Sequence, residues 1–247
     1  MKHTPLLLLF LSIISFTSES AAGFQFIVGE GWYPQREENF IVHADIKIND
    51  LRIRHIENIG LTNLGGKWQK CKSGKREALE ILGPINPDTH EVVKRLLEKF
   101  DTCFTTNKVK VAPVIMLDSG GGYLQDGFDL GRVLRKQGTQ TVIVQGSLCA
   151  SSCATAFLGG HFRYLDERGE IMFHAPYKIN SYSSVSGKVD IACQKKNEDL
   201  KNYFNEMLGG SDGNYLYNRT MSYCSTSSGW TLNKDAAKLF KIHNVKF

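Results

Sequence analysis

Two serines and a histidine stand where acyl-transfer chemistry could be done. Ser151 and Ser152 lie in Cys149-Ala150-Ser151-Ser152-Cys153, a run of small residues that follows a strand-like stretch and opens a helix. A serine at a helix N-terminus faces backbone N–H groups that the helix itself leaves unpaired. One strand-helix-strand unit earlier, Asp118-Ser119-Gly120-Gly121-Gly122 makes a glycine-rich turn. Such a turn can bring a second free N–H to the same point, and two donors of this kind stabilise the oxyanion of a tetrahedral intermediate. His174 follows Ile171-Met172-Phe173 and precedes Ala175-Pro176, so it stands at a strand end with a proline to hold it there. Oxyanion hole, nucleophile and general base thus come in chain order.

The elements that must position these groups are legible around them. Val114-Ile115-Met116-Leu117 is a short apolar run with β-branched residues, the pattern of a buried strand. Phe128, Leu130, Val133 and Leu134 are spaced for one buried helix face. Residues 140–145 (QTVIVQ) read as a second buried strand. Strand, helix and strand in this order require a right-handed crossover and make a parallel pair. Arg163-Tyr164-Leu165 and Ile171-Met172-Phe173 read as further strands.

With its four parts in order, the stretch resembles the Clp-type proteolytic subunits of the ClpP/crotonase fold. Matched residue by residue, Ser119-Gly120-Gly121-Gly122 takes the place of that family's Ser-Pro-Gly-Gly turn. The resemblance implies Ser151 as nucleophile, His174 as base, and the N–H groups of Gly121 and Ser152 as the oxyanion hole. It spans roughly residues 78–242. The Cys-Ala-Ser-x-Cys form behind a signal peptide is similar to exported ClpP-like proteins. The fold class expected is α/β, a ClpP/crotonase-like βαβ superhelical core with an N-terminal β-rich extension. The activity implied is an exported serine peptidase acting on peptide or unfolded protein substrates. The alternative is a catalytically inactive binding or assembly protein that kept the fold. A crotonase-type acyl-CoA enzyme fits poorly with export and with a serine-histidine set. Relatives of this fold form rings or trimers, so a homo-oligomer is implied as well.

The family's third catalytic member is an aspartate two residues before the closing aromatic. Counted back from Trp230, that position is Ser228, which can accept the histidine's N–H but carries no charge to steady an imidazolium. Asp212 and Asp235 are the acidic alternatives.

Length and composition bound the rest. The chain has 247 residues, 42% of them hydrophobic, enough for one large domain or one domain with an extension. The net charge of +5 is mild, and the basic residues are scattered without aromatic interleaving, which speaks against a nucleic-acid partner. Residues 1–22 read as a signal peptide: a basic start, an apolar run from Leu6 to Phe16, and small residues at Ser20-Ala21-Ala22. That implies a periplasmic or secreted protein with no membrane span after signal removal. The domain organisation expected is signal peptide 1–22, N-terminal β-rich extension 23–77 and ClpP/crotonase-like domain 78–247. The six cysteines point to disulfides in an oxidising compartment, with Cys71–Cys103 and Cys193–Cys224 as the pairs expected. Cys149 and Cys153, read as neighbours on one helix face, could pair or remain small buried residues. No cysteine pair has zinc-finger spacing with histidines, so neither metal nor cofactor is expected.

Outside the central stretch, residues 40–42, 46–48 and 51–56 alternate as strands, with His55 read as a surface residue of the last. Residues 60–75 read as a loop. Ala78-Leu79-Glu80-Ile81-Leu82 opens the core as a strand, and Asn86-Pro87-Asp88 starts a helix whose apolar face holds Val92, Val93, Leu96, Leu97 and Phe100. Residues 178–188 are serine-rich and read as an exposed loop. Residues 191–207 have helical spacing, residues 215–221 suggest a short helix, and Trp230-Thr231-Leu232 leads into a last one.

Overall fold

The computed structural model describes residues 40–58, 70–71, 77–100, 103–104, 112–182 and 189–245. The signal peptide expected over residues 1–22 lies outside them, as does most of the loop expected over 60–75. In chain order the elements are β1 (Phe40–Ile48), β2 (Leu51–Asn58), β3 (Lys70–Cys71), β4 (Glu77–Leu82), α1 (Thr89–Leu97), β5 (Cys103–Phe104), β6 (Val114–Asp118) and α2 (Leu124–Lys136). There follow β7 (Gln140–Ile143), β8 (Leu148–Ala150), α3 (Ser152–Phe157), β9 (Phe162–Leu165), β10 (Glu170–Phe173), β11 (Tyr177–Tyr182) and β12 (Val189–Cys193). The chain closes with α4 (Glu198–Leu208), α5 (Gly210–Met221), β13 (Trp230–Leu232) and α6 (Lys234–Leu239).

Six strands form the main sheet in the order β1-β2-β4-β6-β7-β9. β4, β6, β7 and β9 run parallel, while β1 and β2 add antiparallel at the β4 edge. This is the α/β class expected, with a parallel βαβ core and a β-rich N-terminal addition. Successive strand residues face opposite sides of a sheet, and here both sides are buried. Leu79, Ile81, Ile115, Leu117, Ile143 and Leu165 point to the helices. Ala78, Val114, Met116, Val142 and Tyr164 point the other way, into a smaller cluster. Burial on both faces explains why these strands read as continuous apolar runs rather than as alternation. The expected helix faces hold: Val93, Leu96 and Leu97 of α1 and Phe128, Leu130 and Leu134 of α2 are buried.

At its C-terminal end β6 leaves the main sheet. Ser119 makes a parallel bridge to Cys149, and Ala150 N–H donates to Ser119 O at 2.9 Å. β8 belongs to a second sheet, β13-β10-β8, in which β8 and β10 are parallel. The glycine-rich turn, the serine run and the strand before His174 are thereby drawn to one end of the molecule.

Several expectations need correction. His55 is 7% exposed, not a surface residue, because the Phe100 ring stacks on it at 4.6 Å and Glu77 accepts from its ring at 2.9 Å. The serine-rich segment is not simply a loop: β11 and β12 pair as an antiparallel hairpin over its ends. Ile191 belongs to β12, and α4 starts only at Glu198, where Asn197 accepts the Leu200 N–H at 2.7 Å as N-cap. Cys149 lies in a strand, so it does not share a helix face with Cys153. The two are nevertheless bonded, as are Cys193 and Cys224. The β3–β5 register sets Cys71 opposite Cys103.

Residues 241–244 are latched to β9. Arg163 N–H donates to the Asn244 side chain at 2.7 Å, and Leu165 N–H donates to His243 Nδ1 at 3.1 Å. The buried Arg163 guanidinium donates to the carbonyls of Gly160, Lys241 and Ile242. Among the described residues no helix is long and apolar enough to cross a membrane.

Candidate active site

Ser151 occupies the turn between β8 and α3 with φ 57° and ψ −123°. A non-glycine residue holds such a backbone only where its surroundings over-determine it. Here Ser151 N–H donates to Met172 O at 2.9 Å, and its carbonyl accepts from Thr155 N–H at 3.1 Å. The turn lifts the Ser151 side chain into a cleft of about 790 Å³ that His174 also lines. Ser152, the rival nucleophile, is wholly buried. Its Cβ packs so closely on Gly127 of α2 that a methyl group there would come within 2.9 Å. The Ser152 hydroxyl therefore cannot reach a substrate, while its N–H, in the first turn of α3, has no helical acceptor.

His174 follows β10 directly. Its Nδ1 lies 3.0 Å from Ala175 O. A carbonyl can only accept, so Nδ1 carries the proton and Nε2 keeps its lone pair. The imidazole also stacks on Tyr177, ring centroids 5.5 Å apart. Ala175 N–H is in turn held by Tyr223 O at 2.7 Å. Ser151 and His174 open into the same cleft, but among the described residues no hydrogen bond joins them.

The glycine turn abuts the serine turn. Gly121 has φ 103°, and a Cβ on it would lie 2.6 Å from Ser151 Cβ and 3.1 Å from Ser152 N. Glycine is required there twice over, by its backbone and by the contact. Gly121 N–H, however, donates to the buried Ser119 hydroxyl at 3.0 Å. One of the two expected oxyanion donors is thus occupied in the free protein.

The β10–β13 register sets Phe173 opposite Trp230, so Ser228 comes just before the strand that pairs with the His174 strand, but among the described residues no hydrogen bond joins Ser228 to His174. Ser228 is exposed, and its N–H donates to Ser225 Oγ at 3.1 Å. Asp212 is taken by Lys241 at 2.7 Å, and Asp235 lies 3.8 Å from Lys238 on α6. None of the three lines the cleft. The group that meets the imidazole is a backbone carbonyl, which sequence reading could not have found. Ser119 was legible in principle, since Ser-Gly-Gly favours a side-chain turn two residues long. The remaining cleft wall is mainly apolar, with Leu124, Phe173, Leu200 and Phe204 prominent. Among the described residues no group of three or more His, Cys, Asp or Glu side chains is arranged to hold a metal ion.

The sequence matches no protein-family profile and no curated protein. Solved structures do show similarity. One is a mutant of the 1510-N membrane-bound stomatin-specific protease in complex with a substrate peptide: 17% identity, TM-score 0.49, over 67% of this chain and 72% of that one. A second mutant of the same protease gives 18% identity and a TM-score of 0.46 over 67% and 76%. ClpP1 from Listeria monocytogenes gives 18% identity and a TM-score of 0.44 over 67% and 87%.

Proposed function

We propose that this chain is an exported serine peptidase of the ClpP-like type, with Ser151 as nucleophile and His174 as general base. The observation that carries this reading is the Ser151 turn: a strained serine at a strand-to-helix junction, opening into the cleft lined by a histidine whose Nδ1 proton is already committed. Ser151 Oγ attacks the substrate carbonyl while His174 Nε2 takes its proton and later delivers it to the leaving amine. Water then releases the acyl group by the reverse use of the same pair. The N–H groups of Ser152 and, once it leaves Ser119, Gly121 receive the oxyanion. Ala175 O fixes the tautomer without supplying a negative charge to steady the imidazolium that forms. Residues 78–247 form the catalytic domain in this reading, residues 23–77 its extension, and residues 1–22 the export signal. Substrates are peptides or unfolded chains, and the protein works as a homo-oligomer. The engaged Gly121 N–H favours the competing reading, an inactive ClpP-fold binding protein.

Labelling with a fluorophosphonate, which reacts with activated serines, separates the two. The peptidase labels at Ser151, loses the label in Ser151→Ala, and labels at least tenfold more slowly in His174→Ala. A folded wild-type chain that takes no label at any pH between 6 and 9 refutes the peptidase.

A further inference from the structure

Ser151 stands two residues after Cys149 and two before Cys153, and those two cysteines are bonded to each other with Cα atoms 5.2 Å apart. In the Gly-x-Ser-x-Gly elbow, the sharp strand-to-helix turn that exposes a nucleophilic serine has glycine at both of those places. We propose that the Cys149–Cys153 disulfide is the positioning element of the Ser151 turn, holding by covalent closure a conformation that the glycine-flanked elbow reaches through small residues. The proposal rests on Ser151 being the nucleophile.

Three observations support it. Both half-cystines are wholly buried, so the two side chains find their room in each other where a glycine elbow has none to place. They are anchored on different elements: Cys149 pairs with Ile171 in β10 and bridges Ser119, while Cys153 is in the first turn of α3. The bond therefore fixes the strand end to the helix start across the one residue between them whose φ is positive, Ser151 at 57°. The Ser151 N–H donates to Met172 O and its carbonyl accepts from the N–H and the hydroxyl of Thr155, bonds that hold the two ends of the turn but do not span it. By contrast, Cys224 of the other disulfide is exposed, and its partner Cys193 pairs with Tyr177 in the β11–β12 hairpin rather than with the serine turn. Closing the buried bond takes two electrons and two protons from two thiols. They pass by thiol–disulfide exchange to an oxidant disulfide, which leaves as a dithiol. Ser151 reaches its full reactivity only after that exchange, so the chain reacts about 10–100-fold more slowly wherever thiols are kept reduced.

The test compares the full chain with two double variants, Cys149→Ala with Cys153→Ala, and Cys149→Gly with Cys153→Gly. Fluorophosphonate labelling of the alanine pair should fall about 10–100-fold, the scale of a reacting atom misplaced by about 1 Å. The glycine pair should regain at least about tenfold over the alanine pair although it melts lower, because glycine restores the turn while loosening the chain. The idea is overturned if the alanine pair labels at the wild-type rate, or if the glycine pair labels more slowly than the alanine pair in step with its melting temperature. Should neither variant fold, the wild-type chain is reduced stepwise and its thiols mapped by alkylation. Labelling must then persist after Cys193–Cys224 opens and fall about 10–100-fold when Cys149–Cys153 opens, and the opposite order refutes the assignment. If the oxidised wild-type chain takes no label, the peptidase reading fails by itself. The positioning role is then read from amide exchange at Thr155, whose N–H is bonded to Ser151 O. Protection should fall in the alanine pair and hold in the glycine pair, and equal protection in all three chains sinks the proposal.

Discussion

Gly121→Ala should disable the site more than it destabilises the fold. With φ at 103°, an L-residue here costs about 1–3 kcal/mol. The added methyl would meet Ser151 Cβ at 2.6 Å and Ala150 O at 2.7 Å, so the glycine turn and the serine turn must move apart by several tenths of an ångström. Overpacking of this kind adds about 1–3 kcal/mol. For a domain of this size each kcal/mol lowers the melting temperature by about 2–4 °C, so a fall of roughly 5–20 °C is expected. The displacement falls on Ser151 itself and on the Ser152 N–H, so labelling at 20 °C, where the variant is still folded, should drop about 10–100-fold. Gly120→Ala is the control. A Cβ there meets nothing within 4 Å, and both melting and labelling should match wild type. A Gly121→Ala chain that labels as fast as wild type would show that the two turns are not mechanically joined.

Ser119→Ala releases the Gly121 N–H from a neutral hydrogen bond worth about 0.5–1.5 kcal/mol, so labelling should rise about 2–10-fold, and a fall of similar size would mean that the bond shapes the turn instead of competing with the oxyanion. Ser228→Ala should leave peptidase and labelling rates within about twofold of wild type, since its hydroxyl is exposed and His174 is met by Ala175 O; a tenfold loss would restore Ser228 as the orienting residue. His243 is held by burial at about 4, below its ordinary 6.5, so between those values the unfolded chain binds more protons than the folded one. Its stabilising contribution is complete above about pH 6.5 and is lost as pH falls through about 4, on the order of 3 kcal/mol in all. Urea titrations at pH 7 and 4.5 should show a smaller acid loss in His243→Gln than in wild type, and equal losses would remove His243 from the acid limb.

How far the sequence could be read depended on whether the signal was local. The parallel strands announced themselves because β4, β6 and β7 are buried on both faces and carry unbroken apolar runs. The helix faces of α1 and α2 followed from spacing alone. Ser151, His174 and the glycine turn were legible by order and residue type, and they do meet at one end of the sheet. What failed depended on distant partners. His55 is covered by Phe100, contributed by a segment far along the chain, and no pattern around His55 records that. The β11–β12 hairpin pairs Tyr177 with Cys193 across a polar stretch that lacks a core face, so alternation gave no warning. The carbonyl that meets the imidazole left no signal either, because every residue has one, and counting along the chain to Ser228 could not reveal it.

The latch on β9 has a consequence for how copies of this protein meet. β9 is a border of the six-stranded sheet, and a border strand with free N–H groups is a template on which another chain can pair. Asn244 and His243 occupy the outward N–H groups of Arg163 and Leu165 with side chains, closing the border without adding a strand. The stopper is removable by acid, because a protonated His243 Nδ1 has no lone pair left for Leu165. Self-association seen by light scattering should therefore set in as pH approaches about 4, ahead of global unfolding, and should set in at neutral pH for a chain ending at Phe240. Monodisperse behaviour of both samples would mean that the border is guarded in some other way. Residues 241–245, which do not line the cleft, then act as a guard against fibre-like stacking.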